Sequence, residues 1–264
     1  MSETHIRQAL GITNPRDVEE LRWVLTSDSR FVERQANYWM CVPLEELITD
    51  RPISDVTFVI TDIETTGSIR GKDRIIEIAA SKIKNGKCLG TFESLVNPQK
   101  NISKQIVRLT KITNATVRTS PTIEEVLPEY VKFAGSGLFV AHNSLFDFSF
   151  INTEIERLKL PKLKSQVDVC TYRLAQRLLP QVRARGVSGL SLYFNYHMEN
   201  RHRAMPDVMA THYFLNRFIE QLKERNVVSL YQLIDFQKER LTLKELLKKV
   251  KRQKRRHYYT RAIA

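Results

Sequence analysis

The sequence predicts an α/β domain with a mixed sheet, and three observations carry that reading. A β-branched and nearly unbroken apolar run, Val56–Glu64, has the character of a buried central strand. Two further β-rich runs, Arg74–Ile83 and Leu89–Val96, are joined by Lys84-Asn85-Gly86-Lys87, and Asn-Gly between such runs is a strong hairpin signal. Beyond Pro98 the periodicity switches to helix and then alternates between short strand and helix.

Taken in order, residues 1–54 form a leader, 55–225 the body and 226–264 a basic helical tail. In the leader, 17–26 read as a helix, followed by a small hairpin from Arg30–Arg34 and Tyr38–Pro43. Helix-then-hairpin resembles the end of a winged-helix module, with Trp39 either a core residue or a contact. A segment of some fifty residues is expected to pack on the body rather than fold alone. The central strand ends unusually. Successive strand side chains alternate faces, so Asp62 and Glu64 project from the same one. Two carboxylates beside a core strand are costly unless paired or bound to a cation, and a metal site is the economical explanation. Thr65-Thr66-Gly67 follows as a turn whose glycine permits close approach.

Pro121 with Glu124 and Glu125 suits a helix start over 121–134. Gly137–Ala141 reads as a second buried strand running into His142-Asn143-Ser144-Leu145-Phe146-Asp147, after which Ile151, Ile155 and Leu158 fall at helical spacing. Asp147 then stands in the first turn of a helix, where a capping role is open too. Asp168 reads as the cap of a helix over 170–180. A long amphipathic helix is marked by Val208, Thr211, Leu215, Phe218, Ile219 and Leu222, with His212 packed on its stripe and Pro206-Asp207 in its first turn.

Composition narrows the function classes. At 264 residues, 42% hydrophobic and 27% charged, the chain can bury a core and is not disordered. No window approaches the roughly 18 to 20 apolar residues of a membrane span, and the N-terminus has neither the basic nor the apolar region of a secretory signal. Cys41, Cys88 and Cys170 are widely spaced without a C-x-x-C pair, which predicts a reducing, cytoplasmic setting rather than a disulfide framework. The formal charge is +13, of which the segment from Lys238 onward holds +9. A tail with seven cations among Lys248–Arg256, followed by Tyr258 and Tyr259, points to a polyanionic partner, nucleic acid ahead of a membrane surface, against the plainer reading of a solvated terminus.

Taken singly, Asp147 and Asp207 are ordinary helix-start acids and His202 is an ordinary loop histidine. Together with Asp62 and Glu64 they make four carboxylates at element ends, with one histidine five residues before the last. That donor set is what a two-cation hydrolytic site needs, because the ions hold a scissile phosphate and neutralise charge on its entering and leaving oxygens.

Asp62-Ile63-Glu64-Thr65-Thr66-Gly67, Ala141–Asp147 and His202-Arg203-Ala204-Met205-Pro206-Asp207 resemble, in order and spacing, the three motifs of the DEDDh or DnaQ-like 3′–5′ exonucleases. The flavour is that of bacterial replicative-polymerase proofreading domains, and the likeness covers roughly residues 55–220, about two thirds of the chain. It implies a ribonuclease H-like exonuclease fold, a mixed five-stranded sheet flanked by helices with its first three strands antiparallel. It implies that Asp62, Glu64, Asp147 and Asp207 bind two Mg²⁺ or Mn²⁺ ions, and that His202 is the general base. An imidazole of ordinary pKa, about 6.5, suits that task near neutral pH. The same likeness assigns Thr65, Thr66, Gly67, His142, Asn143 and Phe146 to the terminal nucleotide; His142 reads equally as a strand-end support and Phe146 as core.

The leading expectation is a metal-dependent 3′–5′ exonuclease that cuts the terminal phosphodiester of DNA, working in proofreading, repair or end processing beside a polymerase or another replication or repair protein. An RNA-directed exonuclease of the ribonuclease T or oligoribonuclease type shares the motifs, since the preference rests on how the pocket treats the 2′-hydroxyl. A non-catalytic nucleic-acid-binding or polymerase-tethering protein is disfavoured because it would be free to lose acids that repel a phosphate backbone, and all four are present.

Overall fold

The computed structural model describes residues 2–10, 12–14, 18, 21–22, 25, 31–198 and 202–238. A larger unit spans Leu44–Gln237, and the residues on either side of it, Met1–Pro43 with Lys238–Ala264, make a second. Within the described part of the second unit, helix α1 (Glu3–Leu10) and the antiparallel pair β1 (Phe31–Gln35) and β2 (Tyr38–Cys41) enclose a small core of Leu21, Leu25 and Trp39. Trp39 is thus a core residue. Glu3, nearly buried, accepts the Arg22 guanidinium at 2.6 Å. Most of the helix expected over 17–26, and the basic run Lys248–Arg256 with its two tyrosines, lie outside the described residues.

The larger unit opens with the short helix α2 (Leu44–Leu47) and holds five strands in the order β5-β4-β3-β6-β7. β3 (Thr57–Thr65), β4 (Ile75–Lys84) and β5 (Lys87–Leu95) are antiparallel neighbours, and β6 (Leu138–Ala141) and β7 (Asp168–Cys170) continue parallel to β3. This is the mixed sheet expected from the sequence. The hairpin signal is realised as a two-residue turn, with Asn85 at φ 48° and Gly86 at φ 75°. Positive φ at both central residues gives the turn whose twist matches the strands it joins.

Helices cover both faces. After the short α3 (Lys104–Thr110) and α4 (Asn114–Val117), α5 (Ile123–Ala134) begins at Thr122, whose capping box with Glu125 fulfils the expected start. α5 and α6 (Leu145–Arg157) pack on one face around Val59, Ile63, Tyr130, Phe150 and Ile151. Tyr130 ties that layer to the central strand through a hydrogen bond of 2.8 Å with Thr61. On the other face, α7 (Thr171–Leu178), α8 (Val187–Tyr193) and α9 (Ala204–Lys223) bury Leu174, Leu190, Val208, Phe214, Leu215 and Phe218 against Phe58, Ile60 and Ile83. His212 is half-buried on α9, its Nε2 3.3 Å from the Gly86 carbonyl at the hairpin turn.

α10 (Leu230–Gln237) closes this layer. Leu230 N donates to the Arg51 carbonyl at 2.9 Å, and the Tyr231 hydroxyl donates to the Ile48 carbonyl at 2.9 Å. At its far end the Gln237 side chain accepts from Cys170 N at 2.8 Å and donates to the Asp168 carbonyl at 2.6 Å. One amide side chain thus occupies backbone groups of edge strand β7 that would otherwise invite another strand. No helix among the described residues is long and apolar enough to cross a membrane.

Phe214 of α9 is fully buried in the core of this layer, its ring stacked 5.9 Å from that of Phe194. Phe214→Ala is expected to lower unfolding stability by about 3–5 kcal/mol, read from urea denaturation of the two proteins.

Candidate active site

β3 and β6 run parallel, with Ile60 opposite Val140, so their C-terminal ends open at the same edge of the sheet. Ligands of open α/β sheets bind beyond such ends. Asp62 and Glu64 lie on the face of β3 that carries Phe58 and Ile60, the face covered by α9. Each is half-buried. β6 leads through His142–Ser144 into α6, and the buried Asp147 in its first turn accepts Ile63 N at 3.2 Å, on the backbone between the two β3 acids.

The third contribution comes from the start of α9. His202 precedes that helix with φ 60°, a left-handed conformation that costs a side-chain-bearing residue about 1–3 kcal/mol, and Asp207 stands in the first turn. Ligand atoms of Glu64, His202 and Asp207 all lie within 4.8 Å of one another. All five of the expected acid and base residues therefore belong to one neighbourhood: Asp62 feels the charges of Asp147, Asp207 and Glu64.

Electrostatics here are those of like charges held out of water. Burial, then Asp147, Asp207, Glu64 and Glu77, hold the Asp62 carboxyl well above the usual carboxylate range. Burial also pushes Glu64 up to about 8, helped by Asp207, Glu77 and Asp147 and opposed by the Arg203 guanidinium. Asp147 is pushed up to about 8 by burial, although the amides of Ile63 and Asp147 itself pull the other way. Several carboxylate oxygens and one imidazole nitrogen suit a hard divalent cation, and a cation among them would offset the repulsion that raises these groups. The residues present fit such an ion.

The residues expected to hold a terminal nucleotide are arranged less uniformly. The buried Thr65 hydroxyl donates to the Gly67 carbonyl at 2.6 Å, and the Thr66 hydroxyl accepts Arg74 N at 3.0 Å. A Cβ at Gly67 would lie 2.7 Å from the Asp73 carboxyl carbon, so a larger residue there would push that carboxylate aside. Asp73 in turn accepts Ile69 N at 2.9 Å and the Lys100 ammonium at 2.9 Å, fixing the turn beside the acids. Asn143 is exposed with φ 69°, and Phe146 is half-buried against Phe150 at a centroid distance of 5.0 Å. His142 turns its ring inward, 2.9 Å from the Thr171 hydroxyl and edge-on to Tyr172. Burial pushes this imidazole down to about 4, so it is neutral at physiological pH.

The helix-cap readings need correction. Ser144 holds the N-cap position of α6, and the Asp147 carboxylate reaches instead to β3. Asp168 is the first residue of strand β7, paired with Phe139, and Cys170 is the N-cap of α7. The Asp168 carboxylate accepts the Ser144 hydroxyl and the Arg173 guanidinium, clamping the turn into α6. Three residues of strand are too few to show a periodicity, and sheet pairing with β6 overrides the local helix-start signal.

Sequence reasoning passed over Glu77 and Arg203. Glu77 lies directly opposite Glu64 on β4 and is 0% exposed, and its carboxylate takes Arg203 Nε at 2.9 Å, Arg203 Nη2 at 2.6 Å and Ala204 N at 2.9 Å. One signal was available, a lone charge inside the apolar run Ile75-Ile76-Glu77-Ile78-Ala79-Ala80.

Comparison with known proteins places the chain in a family. Residues 59–215 match the family model RNase_T, described as exonuclease. A PolC-type DNA polymerase III of Staphylococcus epidermidis is 37% identical over 187 residues, and that of Staphylococcus aureus is 36% identical over 189 residues. These stretches are 70% and 71% of the chain but only 13% of either polymerase. Among solved structures, exonuclease X in complex with 5′ overhanging duplex DNA is 30% identical with a TM-score of 0.54, covering 69% of this chain and 99% of that one. Exonuclease I of E. coli in complex with a dT13 oligonucleotide has a TM-score of 0.58 at 17% identity, covering 65% of this chain and 43% of that one, and shares the fold. The family model spans more than half of the 264 residues, and the chain belongs to the RNase_T family of exonucleases.

Proposed function

We propose that this exonuclease works from the 3′ end of DNA, preferably at single-stranded or frayed termini, and releases nucleoside 5′-monophosphates. The observation that carries the reading is the convergence of Glu64, His202 and Asp207 within 4.8 Å, beside the mutually repelling Asp62 and Asp147. In this reading Asp62, Glu64, Asp147 and Asp207 hold two divalent cations, Mg²⁺ or Mn²⁺. When bound, such ions position the scissile phosphate and offset the charge that develops on its entering and leaving oxygens.

The chain's own residues do the remaining work. His202 accepts the proton of the water whose oxygen forms the new bond to phosphorus, as the bond from phosphorus to the 3′-oxygen of the penultimate nucleotide breaks. The shortened strand keeps a 3′-hydroxyl once that oxygen takes a proton from solvent. Thr65, Thr66 and Gly67, fixed by Asp73 and Arg74, form the floor against which the terminal nucleotide rests, with Asn143 and Phe146 at its side. His142 supports that side from within. The PolC-type relatives favour a setting beside a DNA polymerase or another replication or repair protein, and the net charge of +13 favours a nucleic-acid partner.

The experiment that tests this reading is digestion of matched 3′- and 5′-labelled DNA and RNA oligonucleotides with Mg²⁺, Mn²⁺ or EDTA. Metal-dependent shortening from the 3′ end of DNA is expected, and degradation that survives EDTA would refute it. Asp62→Ala should abolish turnover while leaving the circular-dichroism spectrum unchanged. His202→Ala should lower kcat by roughly 10² to 10⁴-fold with oligonucleotide binding largely kept, measured under single-turnover conditions.

The raised carboxylates also set a stability profile. Glu64 and Asp147 titrate at about 8 in the folded chain and in the ordinary carboxylate range when unfolded, so between those limits the folded state binds more protons. Metal-free protein is therefore expected to lose stability as pH rises from about 4.5 to about 8. Mg²⁺ or Mn²⁺ should restore it, most strongly at the upper end, in melting curves taken with EDTA or with added metal.

A further inference from the structure

α9 delivers Asp207 in its first turn and His202 just ahead of it, yet it has no side-chain cap of its own. Its first amide, Ala204 N, donates instead to Glu77 Oε2, a residue 127 positions away in sequence. The Arg203 guanidinium grips the same carboxylate through Nε and Nη2. We infer that Glu77 is the positioning residue of the site: through Arg203 and Ala204 it fixes the backbone that carries His202 and Asp207 against β3. The inference rests on the reading of His202 and Asp207 as parts of the active site.

Three features separate this from an ordinary buried ion pair. Glu77 sits on a central strand in register with Glu64, so its anchor point is as rigid as the acids it serves. Its three donors come from two consecutive residues at the mouth of one helix, which fixes direction as well as distance. The residue next to the grip, His202, is held at φ 60°, a conformation that persists only where its surroundings impose it. An apolar side chain at position 77 would fill the core equally well and generally costs less than a desolvated pair. What the carboxylate adds is the placement of the helix start.

The test uses the full chain as wild type, E77Q, R203M and the double variant, with Asp207→Ala in parallel. Turnover of a 3′-labelled oligonucleotide is measured beside Mn²⁺ binding by electron paramagnetic resonance, which reads the site without catalysis. E77Q keeps the shape of Glu77 and one acceptor but not the charge. Both single variants are expected to lower kcat by about 10- to 100-fold, with KM within about threefold and weaker Mn²⁺ binding. The double variant should fall no further than the worse single one, because both cut the same connection. Wild-type kcat and Mn²⁺ affinity in E77Q beside an inactive Asp207→Ala would overturn the tether and leave the site reading standing, as would losses that multiply in the double variant. Full turnover in Asp207→Ala would overturn both. Should E77Q fail to fold, R203K carries the same comparison, since it keeps a cation beside the buried Glu77 but loses the two-nitrogen grip.

Discussion

Like charges forced together out of water are the constraint around which this structure is built. Asp62, Glu64 and Asp147 stand high in pKa because burial and their neighbours oppose ionisation, an opposition that the amides Asp147 accepts relieve only in part. A fold can keep such a cluster only if other interactions hold its members in place. Here that duty falls on the parallel pairing of β3 with β6, on the Asp147 bond to Ile63 N and on the Glu77 grip at the head of α9. The two apolar layers supply the stability, and the apolar stripe of α9, anchored by Phe214 and Phe218, presses the acidic end of that helix toward β3.

The contrast between Glu64 and Glu77 explains how five neighbouring carboxylates divide their work. They face each other across β3 and β4 in the same register. Glu77 is completed by protein donors, a guanidinium on one side and an amide on the other, so its charge is answered within the fold. Glu64 has no such donor among the described residues, and its nearest counterparts are His202 and Asp207. A carboxylate satisfied by the protein serves geometry, and one left to its neighbours keeps its oxygens for a cation. Asp168, clamped by Ser144 and Arg173, is likewise answered within the fold.

Much of this was legible from local pattern. Strand parity alone put Asp62 and Glu64 on one face, the Asn85-Gly86 pair gave the hairpin, and the passage from apolar strand to helical spacing put Asp147 in a first turn. What local pattern did not carry was closure over distance. Glu77 and Arg203 meet across 126 positions, and neither residue's neighbours in sequence announce the other. Asp168 was misread for a related reason. β7 has only three residues and exists because β6 and Gln237 pair with its backbone, so an acid ahead of a helical stretch read as a cap. The buried ring of His142 was half legible: its motif position suggested the pocket, while its partners Thr171 and Tyr172 come from the following strand-to-helix junction.

The distribution of charge gives these local facts a common direction. A cluster of carboxylates repels a phosphate backbone, while a chain of net charge +13 attracts one over longer range. Those two tendencies conflict only as long as the cluster keeps its full negative charge. In the proposed reading, two divalent cations on the four acids would cancel the charge of the centre, so that long-range attraction and local chemistry would act on the same ligand. Protonation would lower the charge as well, but it would use the oxygens needed for metal. The raised pKa values and the proposed need for metal therefore share one cause, the packing of several acids into the end of a sheet where a multivalent ion would offset their mutual repulsion.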